Sequence, residues 1–231
     1  MPSLEQLIET GDLAAAQTLA ELDPARAAAL TLRLGRPAWA AAWATDPLVR
    51  AAALLRLGQP DEVLGTLAHT PDSARAAVLR SRALWQRQLR SGAEQGAKEA
   101  AIAARQQARR EGDAGATIAA AALCGELLLP EPFAALRALA EGLKVAEMLG
   151  AEADPYLLAV LAHAQAGTGG QRKAAATAQK ALSRAEVRSP ARVVAYLALG
   201  ERAQAKAEAK AGQISPLWSV PYSAHDDLQP S

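Results

Sequence analysis

Three histidines (His69, His163 and His225) and one cysteine (Cys124) are the residues of this chain with the widest chemical repertoire. Their spacing makes neither a metal site nor a nucleophile with its base. Cys124 sits in AAAALCGELLL, whose apolar flanks point to burial and not to the exposed, cationic setting that activates a thiolate. The segment Gly167-Thr168-Gly169-Gly170-Gln171-Arg172-Lys173 has the glycines of a phosphate loop, but it lacks the GxxxxGK(S/T) spacing and no strand precedes it. It reads as a turn between helices. No catalytic residue, cofactor or metal ion is therefore expected.

Binding chemistry is better represented. Net charge alternates along the chain, −3 over 1–70, +5 over 71–111, −5 over 112–169, +6 over 170–212 and −2 beyond. In the first basic segment Arg80, Arg87 and Arg90 share one helix stripe, and Lys98, Arg105 and Arg109 share another on the next helix. Such a patch fits an acidic peptide, a C-terminal carboxylate or a nucleic-acid backbone. The bland alternative is a solvated face neutralised by the acidic segment that follows. Few aromatics accompany these cations, so a nucleic-acid role would be sequence-independent and salt-sensitive. Tyr156 and His163 lie on one stripe of a later helix, where they would face either a binding groove or a neighbouring helix. Trp39 and Trp43, four apart among alanines, are either an aromatic anchor site or large rings filling gaps left by small neighbours. The last segment, QISPLWSVPYSAHDDLQPS, is broken by Pro216, Pro221 and Pro230, yet Leu217, Trp218 and Tyr222 are too apolar for a solvated tail. It is expected to run extended and dock on this chain or on a second copy, disorder being the alternative.

The elements that position these residues follow from composition and punctuation. There are 60 alanines among 231 residues and only 3% aromatics, which excludes an all-β fold, while 51% hydrophobic content excludes wholesale disorder. The core must come from close helix packing. The N-terminus MPSLEQLIETGD has no basic and apolar leader, and the longest strongly apolar run, 117–124, is too short to span a bilayer. A cytoplasmic protein with no membrane partner is expected.

Two repeat registers organise the helices. LRLGRP at Leu32–Pro37 recurs as LRLGQP at Leu55–Pro60, an offset of 23 that Gly11, Gly35 and Gly58 also keep. Asp23-Pro24, Asp46-Pro47 and Thr70-Pro71 open successive units, so residues 1–70 read as short helical hairpins. From Pro71 the step lengthens to 38–39: Ala104, Gly142 and Ala181 align, as do Ala108, Ala146 and Ala185. Small residues four apart on one stripe let a neighbouring helix approach closely. Partner helices are expected at 73–89, 115–129, 154–166 and 190–199, and residues 213–231 form the Pro-rich tail.

Antiparallel helix pairs with small residues at fixed second-helix positions resemble tetratricopeptide-type repeats. Over 71–212, ARREGD and AEMLGAEAD are similar to the longer, roughly 40-residue variant of large bacterial transcription activators. The resemblance implies an all-α, right-handed α-α superhelix, here of twelve to fourteen antiparallel helices forming an elongated, curved rod. It also implies a non-catalytic adaptor whose concave face takes a peptide or protein partner, with regulation as a plausible setting. Sequence-independent nucleic-acid binding and a self-associating scaffold are the alternatives.

Overall fold

A computed structural model describes residues 3–93 and 96–223. Among them are fifteen α-helices, one 3₁₀ turn and no strand. Six short helices come first: α1 (Leu4–Thr10), α2 (Leu13–Ala20), α3 (Pro24–Arg33), α4 (Pro37–Trp43), α5 (Pro47–Leu57) and α6 (Pro60–Leu67). Six longer ones follow: α7 (Ala74–Ser91), α8 (Ala97–Glu111), α9 (Ala114–Leu127), α10 (Pro132–Met148), α11 (Pro155–Gly167) and α12 (Gln171–Arg184). The described residues end with α13 (Pro190–Ala198), α14 (Arg202–Ala211), the 3₁₀ turn Pro216–Trp218 and the single turn α15 (Val220–Ser223). No described helix is long and apolar enough to cross a membrane.

Local chemistry accounts for these boundaries. Proline occupies the first turn of α3, α4, α5 and α6, where its missing N–H would have had no helical partner. Asp23 and Asp46 accept from the backbone N–H groups of Arg26 (3.1 Å) and Leu48 (2.8 Å). The third expected opener, Thr70-Pro71, instead stays in the turn. Thr70 N–H donates to Leu67 O, and Ser73 caps α7 through Ala76 N–H. Asp113, Asp154 and Ser189 cap α9, α11 and α13 in the same way.

From α1 to α14 each helix packs on the next, and each odd-numbered helix also touches the following odd-numbered one, so the first helices of successive hairpins form one continuous layer. The second helices stand outside it. Five of the six aligned small residues, Ala104, Ala108, Gly142, Ala146 and Ala181, are buried. The sixth, Ala185, lies just beyond the end of α12 with extended backbone angles. At Gly142 an added Cβ would stand 2.3 Å from Leu157 Cδ1, so α10 and α11 approach as closely as they do only because the side chain is absent.

The rod expected from the repeats curves far enough that its early and late hairpins meet. One core cluster joins Leu54 and Leu55 of α5, Val63 and Leu67 of α6, Val193 of α13, Ala205 of α14, and Ile214 and Trp218 of the tail. Ser215 N–H donates to Arg56 O (2.7 Å) across this closure. The last hairpin, α13 with α14, returns to the short lengths of the first six helices and shares this cluster with two of them, α5 and α6. Gly58 sits at the contact. Its φ of 73° is left-handed, and an added Cβ would stand 2.2 Å from Ser215 Oγ. Gly112 has a similar φ of 68° but open space around it. Gly112→Ala is expected to cost about 1 kcal/mol from backbone strain alone, and Gly58→Ala at least about 2 kcal/mol, as read by urea unfolding. Equal losses would mean that the tail does not rest on the end of α5.

Candidate functional site

A cavity of about 760 Å³ opens inside the layer of first helices. Its wall is apolar, from Leu55 of α5, Val78 and Leu79 of α7, Ile118 and Ala119 of α9 and Ala191 of α13. Trp218 enters the wall from the tail. Arg56, Glu152, Arg184 and Glu186 stand among its lining residues as alternating charges. Arg184 pairs with Glu152 at 2.9 Å. Burial pushes the Arg56 guanidinium down to about 10 against the pull of Glu186, so it stays charged at neutral pH.

Below the cavity lies a buried polar network centred on Glu126, a residue only 2% exposed on the otherwise apolar helix α9. Arg82 Nη1 lies 2.7 Å from both carboxylate oxygens. Trp85 Nε1 donates to Oε1 (2.7 Å), and the Tyr156 hydroxyl donates to Oε2. The Tyr156 and Tyr222 hydroxyls are 3.3 Å apart. The Arg82 guanidinium also lies over the rings of Trp218 (4.8 Å to the centroid) and Tyr156 (5.2 Å), so three elements converge on one cation. Burial opposes the charge on Arg82, but Glu126 outweighs it and holds the guanidinium above its ordinary value. Burial, reinforced by Glu126, pushes both tyrosine hydroxyls up, so they remain protonated donors. Both carboxylate oxygens of Glu126 are engaged, so the cluster ties α7, α9 and α11 together around one buried charge pair.

No family model, curated protein or solved structure matches the chain. The assignment of the site therefore rests on its geometry.

The two basic stripes turn to different neighbours. Arg80 pairs with Asp72 (2.6 Å) and donates to Leu67 O and Thr70 O, closing the end of α6. Arg87 (3.3 Å) and Arg90 both reach Asp61 at the start of α6, and the hydrogen bond from Arg90 holds that carboxyl below its usual range. On the other stripe Arg105 (3.7 Å) and Arg109 face Glu141 of α10. Lys98 is exposed near the start of α8. Five of the six cations are thus turned toward carboxylates, Arg80 to the α6–α7 turn and the other four to helices of adjacent hairpins.

Tyr156 and His163 face the tail. The His163 ring lies 4.3 Å from that of Tyr222, and its Nε2 is 3.0 Å from Val194 O. Trp218 is buried, donates to Leu55 O (2.8 Å) and meets Tyr156 edge-on at 5.5 Å, while Leu217 is half-buried. The tail is not extended here: Pro216 opens a 3₁₀ turn and Pro221 sits in the first turn of α15, positions that tolerate a missing N–H.

The remaining sequence candidates have packing or turn roles. Cys124 is buried with Ala101, Leu123 and Ala138, and burial pushes its thiol up. Trp39 and Trp43 stack at 5.7 Å over Leu7, Ile8 and Leu34. In the glycine turn the N–H groups of Thr168, Gly169, Gly170 and Gln171 all donate to nearby carbonyls, as in an ordinary turn between helices. His69 is exposed in the turn after α6, and His225 lies outside the described residues. Sequence reasoning missed Arg82, Glu126 and Arg56. Glu126 carried a signal: one carboxylate inside an apolar helix must find a buried partner.

Proposed function

We propose that this chain is a non-catalytic interaction protein, a right-handed, tetratricopeptide-like superhelix of the cytoplasm that takes a peptide segment of a protein partner in the cavity of its first-helix layer. The observation that carries this reading is the cavity itself. Its volume of about 760 Å³ lies in the range of specific ligand sites, its wall is apolar, and charges of both signs stand ready to fix orientation. The same wall already holds the indole of Trp218, an aromatic side chain delivered by a proline-flanked segment. Curved stacks of hairpins supply affinity through such concave surfaces without any reactive group. Nucleic-acid binding is less well supported, because five of the six basic side chains proposed for it are turned toward Asp72, Asp61 and Glu141.

A cavity-filling variant tests the reading. Ala119 is exposed on the wall, so Ala119→Trp is tolerated by the fold while occupying the space. Peptides enriched from a random library on the wild-type chain are expected to bind this variant at least about tenfold more weakly, a difference of roughly 1.4 kcal/mol. Equal affinity, with an unchanged melting curve, removes the cavity as the site.

A further inference from the structure

The outer layer carries a second concavity, separate from the cavity. A groove of about 820 Å³ runs between α8 and α10, floored by Leu128 just beyond α9. Four cations line it, Arg105 and Arg109 from α8 and Arg137 and Lys144 from α10, against one carboxylate, Glu141. Glu141 is engaged by Arg109 and lies 3.7 Å from Arg105 Nε. Arg105 Nε is nevertheless buried with no hydrogen-bond acceptor. Arg137 and Lys144 are exposed and have no carboxylate partner among the described residues. The groove therefore carries a net charge of +3, with Arg137 and Lys144 as its two cations that meet no carboxylate among the described residues.

Apolar surface runs beside them. Val145 and Met148 follow Glu141 and Lys144 along α10, and Met148 is 76% exposed, an unusual state for a large thioether. Arg137, Glu141, Lys144 and Met148 fall at helical spacing on one stripe, and from first to last they span about 16 Å, roughly three helical turns. Charge and shape together define the occupant. We propose that this groove docks an acidic amphipathic helix of a partner protein, its apolar stripe on Leu128, Val145 and Met148 and its carboxylates toward Arg105, Arg137 and Lys144.

Three features favour a helix over a nucleic-acid strand. No aromatic ring lines the groove for base stacking, an acid stands in its middle where a phosphate would pass, and its floor is apolar. Methionine suits the task because its unbranched, polarisable side chain adapts to different apolar partners. A three-turn contact is small, so the complex belongs to the weak, transient class and depends on electrostatic steering. The inference is independent of the cavity, which opens on the opposite side of the α9 layer.

The test uses the full chain and fluorescence anisotropy with three labelled probes. They are a synthetic helix with leucines along one stripe and glutamates flanking it, a scrambled peptide of the same composition, and a thymidine oligonucleotide of equal length. The helical peptide is expected to bind with a dissociation constant on the order of 10 µM at low salt, and the scrambled one at least about tenfold more weakly. Combining Arg137→Glu with Lys144→Glu is expected to weaken the helix at least about thirtyfold. Met148→Asp alone is expected to weaken it about tenfold. Lys206→Glu on α14, outside the groove, and the cavity variant Ala119→Trp leave it unchanged. No helix binding at about 100 µM overturns the proposal, as does binding indifferent to both groove variants. Tighter binding of the oligonucleotide with the same sensitivity to the charge reversals assigns the groove to nucleic acid instead.

Discussion

Trp218→Ala is expected to lower the melting temperature by roughly 10 °C, from a loss of about 3–5 kcal/mol at about 2–4 °C per kcal/mol for a chain of this size. The indole fills the cluster that joins the early and late hairpins, its N–H donates to Leu55 O, and its face covers Arg82. Alanine would open a void and leave the Arg82 guanidinium with only the Tyr156 ring over it. Removal of residues 213–231 should destabilise further, because it also deletes the Ser215–Arg56 backbone bond and the Tyr222–His163 contact. Calorimetry and light scattering check the point together. If the truncated chain melts like the full one and keeps its mass, the tail does not hold the closure.

The second large effect is at the centre of the network. Glu126→Ala is expected to cost about 3–5 kcal/mol in urea unfolding, because it strands a buried guanidinium and not because the pair itself is strongly stabilising. Arg82, Trp85 and Tyr156 would all lose their acceptor at once. Pairing Glu126→Leu with Arg82→Met should recover most of that loss, since taking both charges out of water is costly in the first place. A double variant as unstable as Glu126→Ala would contradict this account of the network.

The helices were legible because their signals are local. Ser73, Asp154 and Pro190 mark starts that the structure reproduces within a residue, since a cap or a first-turn proline acts on backbone groups only a few positions away. The aligned alanines and Gly142 were readable for a similar reason. Close approach requires small residues at helical spacing, and that spacing is written in the chain. Ala185 departs because α12 ends at Arg184, three residues after Ala181, and the backbone turns extended before the Ser189 cap.

The repeated LRLG motif shows where such reading stops. Gly35 and Gly58 were identified as turn glycines, and both have positive φ. Nothing in the motif said that Arg188 would lie over one and Ser215 over the other. Nor does the motif mark out Arg56, which is half-buried beside the cavity and donates to Leu32 O of the preceding unit. The basic stripes likewise had the right helical spacing, but which carboxylate each cation meets depends on the rotation of the neighbouring hairpin.

The residues alone determined an all-helical chain, the places where its helices begin and the small-residue seams that join them, because capping, proline geometry and steric bulk act over a few positions. Only the tertiary structure decided that the stack curves until its tail reaches α5, that Glu126 and Arg82 meet 44 positions apart, and that the two basic stripes turn to different carboxylates. Small rotations between successive hairpins add up along a stack, and no single local signal records their sum.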